Sequence, residues 1–167
     1  MKQTETSEVD AELYETLSRA IRSSVALAED SRAKLAGLAL CTDDCLETLY
    51  CAVTTVGEVA RSGPDFLYSP TDWPTEWESA DLRQASALLR RRAKLCHCRA
   101  HVESAFELLV QVLSELRAGG ALRPDCYLSV LSTDPSEHLE TLERGSVERL
   151  NSPDIIDGRR EFLARWS

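Results

Sequence analysis

Apolar positions along the chain recur at steps of three and four. Leu13, Leu17, Ile21, Val25, Ala28 and Leu35 form one column, with no Gly or Pro between Val9 and Ala36. That spacing predicts an amphipathic helix. Gly37 interrupts it, and Thr42-Asp43-Asp44 supplies a cap and two carboxylates for a new helix start. Leu46, Leu49, Val53, Val56 and Ala60 continue the 3-4 spacing to Gly63-Pro64. Two helices are expected over residues 9–62, although one bent helix fits the same pattern.

A Pro- and aromatic-rich loop follows, GPDFLYSPTDWPT, with Phe66, Tyr68, Trp73 and the nearby Trp77. It is expected to fold back over one end of a bundle or to bind a partner, since large apolar patches rarely stay uncovered. Thr75 through Glu78 fits a capping box. From there no Gly or Pro intervenes until Gly119. The spacing predicts a single helix of residues 76–117, roughly 60 Å long at 1.5 Å per residue.

Within it, Leu88, Leu95, Val102, Leu109 and Leu116 stand seven apart. The companion column is Ala85, Arg92, Arg99, Phe106 and Leu113. Together they read as heptad a and d positions. After Gly119-Gly120, Pro124, Pro135 and Pro153 each mark the start of a shorter helix. The expected fold is therefore all-α, a helical bundle built on one long central helix. The expected organisation is a flexible N-terminus over 1–8, a bundle or coiled-coil hairpin over 9–117, and a short-helix cluster over 121–167, separate or on the same core.

Composition agrees with a globular helical chain. Hydrophobic residues are 43% and aromatics only 6%, a balance that favours helix over sheet. The net charge of −9 opposes nucleic acid and anionic membranes over long range. No apolar run reaches a membrane-span length, and MKQTETSEVD lacks a signal-peptide core. A cytoplasmic or nuclear protein is the expectation, with its six cysteines as free thiols.

One segment reverses the charge. Between Leu82 and Val102 stand Arg83, Arg90, Arg91, Arg92, Lys94 and Arg99, with no acid. These cations face acids of the preceding helices or dock an acidic or phosphate-bearing partner.

Candidate chemistry is sparse. Cys96, His97, Cys98 and His101, with Cys41 and Cys45, include metal-binding residue types but no CxxC knuckle, so no metal and no cofactor are expected. Arg92 followed after four residues by His97 resembles the motif of the helical HEPN ribonucleases, with Ala93 where a polar residue usually follows the Arg. That resemblance implies Arg92 and His97 acting at a 2′-hydroxyl and phosphate. Leu49, Val53, Val56, Gly57, Glu58 and Ala60 resemble a BH3 segment of the Bcl-2 family, with Glu in place of the usual Asp. That likeness implies a regulatory bundle with a ligand groove.

The favoured expectation is a non-enzymatic adaptor or structural subunit that binds a protein partner, or a second copy, through the long helix. Its expected contacts are Leu88, Arg92, Leu95, Arg99, Val102, Phe106 and Leu109, with Phe66, Trp73 and Trp77 from the adjoining loop.

Overall fold

The protein, described here by a computed structural model over residues 2–30, 34–96, 98–134 and 136–166, is not all-α. It is an α+β fold with a four-stranded mixed sheet. Helix α1 spans Lys2–Asp30 and starts within the stretch expected to fray. Strands β1 (Leu35–Thr42) and β2 (Leu49–Thr55) form a hairpin, followed by the short helix α2 (Val56–Ser62). Two 3-10 turns, Pro64–Tyr68 and Pro70–Asp72, lead to the three-residue strand β3 (Thr75–Trp77). Then come α3 (Ala80–Leu95), α4 (Cys98–Ala118), β4 (Tyr127–Ser132), α5 (Glu137–Leu150) and α6 (Pro153–Trp166).

The strand order is β3-β2-β1-β4. β1 runs antiparallel to β2 and parallel to β4, and β2 runs antiparallel to β3. The segment after residue 120 therefore adds a strand to the sheet and shares its core.

Both faces of the sheet are covered, so β1, β2 and β4 are buried at nearly every position. Leu38, Leu40, Cys51, Val53, Leu128 and Val130 face a large aliphatic core with α1, α3 and α4. The alternate residues Ala39, Cys41, Ala52, Tyr127 and Leu131 face a smaller core closed by Trp73, Val147 and the aromatic loop. Without period-2 alternation a strand loses its signature. In the second segment the 3-4 spacing of Leu46, Leu49, Val53, Val56 and Ala60 imitated a helix.

The aromatic loop folds back over this second face. Trp73 is buried and its Nε1 donates to the Phe66 carbonyl at 2.9 Å. Gly37, at a shift in the β1–β2 register, makes room for the Trp73 ring: an added Cβ would meet it at 2.5 Å.

Several local expectations change with the sheet. Asp43 does not open a helix; its carboxylate accepts from the Glu47 amide at 2.8 Å and the Thr48 hydroxyl at 2.7 Å, organising the β1–β2 turn. A capping box exists, but at Thr55 and Glu58. Ser79, not Thr75, caps α3. The BH3-like residues are split between β2 and α2 and do not share one helix. Pro135 lies outside the described residues.

The long helix is also divided. α3 ends at Leu95, and Cys96 takes an extended conformation with φ −113° and ψ 159°. α4 then packs beside α3, and α1 packs against both. The heptad columns are the chain's own core: Leu88, Val102, Phe106, Leu109, Leu113 and Leu116 are all buried. A coiled-coil seam is therefore not what these residues make.

Candidate functional site

The N-terminal half of the expected long helix carries two different arrangements of positive charge. The inward one centres on Arg92, only 3% exposed. Its Nε donates to Asp10 Oδ1 on α1 at 2.5 Å, and Nη2 to Asp10 Oδ2 at 3.3 Å and Ser104 Oγ at 3.0 Å. Nη1 meets His101 Nδ1 at 3.1 Å and the His101 carbonyl at 3.2 Å. All five guanidinium donors are used. A fully paired, buried arginine crosslinks α1, α3 and α4 and leaves no donor for a phosphate. His97, its expected partner in the ribonuclease-like motif, lies outside the described residues.

This network depends on the break at Cys96. In one continuous helix, residues 92 and 101 would be about 13 Å apart along the axis. The break folds α4 back so that their side chains touch. Asp10, His101 and Ser104 are therefore partners that sequence spacing could not supply.

The outward arrangement is the opposite case. Arg83, Ala87, Arg90 and Lys94 follow steps of four, three and four, and all four are exposed. They share one face of α3, turned away from Leu82, Ala85, Leu89 and Arg92, which are buried. Neighbouring cations are neutralised within the chain: Arg91 pairs with Glu5 at 3.6 Å and Arg99 with Glu103 at 3.1 Å. Arg90 donates to the Glu47 backbone carbonyl at 3.4 Å. Among the described residues no carboxylate forms an ion pair with Arg83, Arg90 or Lys94. The helix dipole favours Lys94 near the C-terminus but opposes Arg83 near the N-terminus, so dipole complementarity does not account for the stripe.

The remaining expected contact residues are dispersed. Leu95 is half-buried against the main core, and Phe66 and Trp73 belong to the second-face core. Trp77 lines an apolar groove of about 250 Å³ with Leu27, Ala28, Leu35, Val53, Thr55 and Thr75.

The sequence profile of the DUF4303 domain, a domain of unknown function, matches residues 13–152. The chain belongs to the DUF4303 family. The matched span takes in all four strands and α2 through α5 of this DUF4303 chain, as well as most of α1. No curated protein and no solved structure matches it.

Burial pushes the Cys41 thiol up to about 11 and the Cys126 thiol up to about 12, which disfavours the nucleophilic thiolate. Among the described residues, no group of three or more His, Cys, Asp or Glu is placed to hold a metal ion. No helix among them is long and apolar enough to cross a membrane.

Proposed function

We propose that this DUF4303 chain is a non-catalytic binding protein that docks an acidic segment of a protein partner on the outer face of α3. The observation that carries the reading is the stripe of Arg83, Arg90 and Lys94, exposed and without ion-pair partners among the described residues, in a chain of net charge −9. The chain as a whole carries surplus acid, yet among the described residues no carboxylate pairs with these cations. Ala87 stands between Arg83 and Arg90 and leaves the face flat enough for close approach. The stripe runs over twelve helical residues, whose ends are about 16 Å apart along the axis. That length matches about five residues of extended chain.

A short acidic segment fits better than nucleic acid. The chain's net negative charge repels a long polyanion, whereas a short segment feels chiefly charges within a Debye length of about 8–10 Å. The helix of the sequence-based expectation keeps its role in this reading, but its cationic face replaces its apolar one.

Affinity purification of the tagged chain, beside the Arg83→Glu/Arg90→Glu/Lys94→Glu variant and an Arg22→Glu/Arg61→Glu control, tests the reading. The expected result is a partner retained by wild type and control and lost by the stripe variant, with the interacting region mapped to an acidic segment. A partner retained equally by all three would overturn it.

A further inference from the structure

The helices α1, α3, α4 and α5 each bury a row of side chains, but none of residues 153–165 on α6 is buried. Charge and ring contacts hold α6 instead. Its three arginines each reach a carboxylate on another element. Arg159 Nη2 lies 3.4 Å from Glu143 Oε1, and Arg160 Nη2 lies 3.4 Å from Glu148 Oε1, both on α5. Arg165 pairs with Asp65 in the first 3-10 turn. Between these pairs, Tyr68 meets Phe162 of α6 at a centroid distance of 6.0 Å and Tyr127 of β4 at 5.6 Å. Gly158 lets the α6 backbone settle on this ring: an added Cβ would overlap the Tyr68 hydroxyl.

The receiving face belongs to the family domain. Asp65, Tyr68, Tyr127, Glu143 and Glu148 fall within the matched residues 13–152, and α6 lies beyond them. The chain is also tied off before α6 begins. Asn151 Nδ2 donates to the Leu128 and Val147 carbonyls at 2.7 and 2.9 Å, and its Oδ1 accepts from the Leu128 amide at 2.8 Å. That grip closes β4, an edge strand, without help from α6. Pro153 then prevents α5 from running on into α6. α6 can therefore leave as a unit while the sheet edge stays closed.

We propose that this acidic and aromatic face is a docking site for an arginine-bearing helix, which α6 fills in cis and from which a partner's helix of the same chemistry displaces it.

The attachment suits exchange. The Arg160–Glu148 and Arg165–Asp65 pairs are exposed on both sides, and such pairs contribute little each. Arg159–Glu143 is the enclosed pair, with side chains 16% and 24% exposed. Burial raises the pKa of the Glu143 carboxyl, and Arg159 acts against that rise. A guanidinium at this point is thus the chief requirement on an incoming helix, and an aromatic ring against Tyr68 is the second. The polarity is opposite to that of the α3 stripe, so the proposal stands apart from the docking reading.

The probe is a labelled peptide of residues 152–167, supplied in trans to full-length chains and followed by fluorescence anisotropy. In wild type the chain's own α6 fills the face. Arg159→Glu/Arg160→Glu/Arg165→Glu drives α6 off by like charge and should bind the peptide at least about tenfold more tightly than wild type does. Adding Glu143→Gln, Glu148→Gln and Asp65→Asn to that variant should weaken binding by at least about tenfold. Three results would overturn the proposal: equal binding by wild type and the reversed variant, binding that survives loss of the three acids, or no binding to a reversed variant that circular dichroism shows to be folded. A wild-type dimer on gel filtration, absent in the reversed variant, would assign the face to α6 of a second copy and contradict a separate partner. Should the reversed variant not fold, hydrogen exchange of wild type decides. The α6 amides should exchange faster than those of α5, and faster still as salt rises. Protection of α6 equal to that of α5 at every ionic strength contradicts displacement.

Discussion

Arg90 and Arg92 stand two residues apart on one helix and meet opposite surroundings. Arg92 is buried, with five donors engaged by Asp10, His101 and Ser104. Arg90 is exposed and donates to the Glu47 backbone carbonyl. Two helical residues rotate a side chain by about 200°, enough to exchange core for solvent. On the inner side of α3, charge joins three helices. On the outer side, charge of the same sign is exposed and forms no ion pair among the described residues.

Substitutions sharpen the contrast, beginning with the largest effect. Arg92→Ala should cost about 3 kcal/mol in unfolding free energy, because it leaves Asp10, Ser104 and the His101 ring without their partner. Arg92→Lys should recover only part of that, still losing about 1–2 kcal/mol, since an ammonium cannot reproduce the forked geometry. Urea denaturation of both variants provides the check. Equal stability of Arg92→Ala and wild type would erase the distinction between the two faces.

The acid dependence of stability comes next. The folded pKa of His101 lies below its unfolded value, so the unfolded chain takes up the proton first. The stabilisation from neutral His101 is thus present above about pH 6.5 and is lost as pH falls below it toward the lowered folded value. The thermal midpoint of wild type should fall more than that of His101→Gln between pH 7.5 and 5.0. Parallel falls would remove His101 from the account.

The smallest effect belongs to the outer side. Replacing Arg83, Arg90 and Lys94 together by Ala should change stability by no more than about 0.5 kcal/mol per site. Arg90→Lys should be silent in the same denaturation assay, in contrast to Arg92→Lys. A large loss from the outer substitutions would mean that the stripe serves the fold.

Much of this contrast was legible before folding. The column through Leu88, Val102, Phe106 and Leu109, expected to meet a partner, is buried in the chain's own core, and Arg83, Arg90 and Lys94 fall on the opposite side by helical spacing. The continuity of the helix was misread because no Gly or Pro marks the break at Cys96. Without that break, the contact of Arg92 with His101 has no basis in spacing.

The sheet was missed for a different reason. LAGLALCT and LYCAVTT bury both faces, and a short unbroken apolar run does not distinguish a buried strand from a helix. YLSVLS, six residues following a Pro-Asp turn, carried the better strand signal through its length. Phe66 and Trp73 were sensible partner candidates by exposure of aromatics in a loop. Folding places them against the second face of a sheet that spacing did not reveal.

The central claim, docking of acidic chain on the outer face of α3, is tested most directly by fluorescence anisotropy with a labelled twelve-residue peptide of alternating Glu and Asp. Wild type at low ionic strength should bind it, and added salt should weaken binding. Arg83→Glu/Arg90→Glu/Lys94→Glu should weaken binding by at least about tenfold, the equivalent of about 1.4 kcal/mol. Arg22→Glu/Arg61→Glu should leave it within about twofold of wild type. No peptide binding, equal binding by the stripe variant, or tighter binding of a twelve-nucleotide single-stranded DNA than of the peptide would contradict the account.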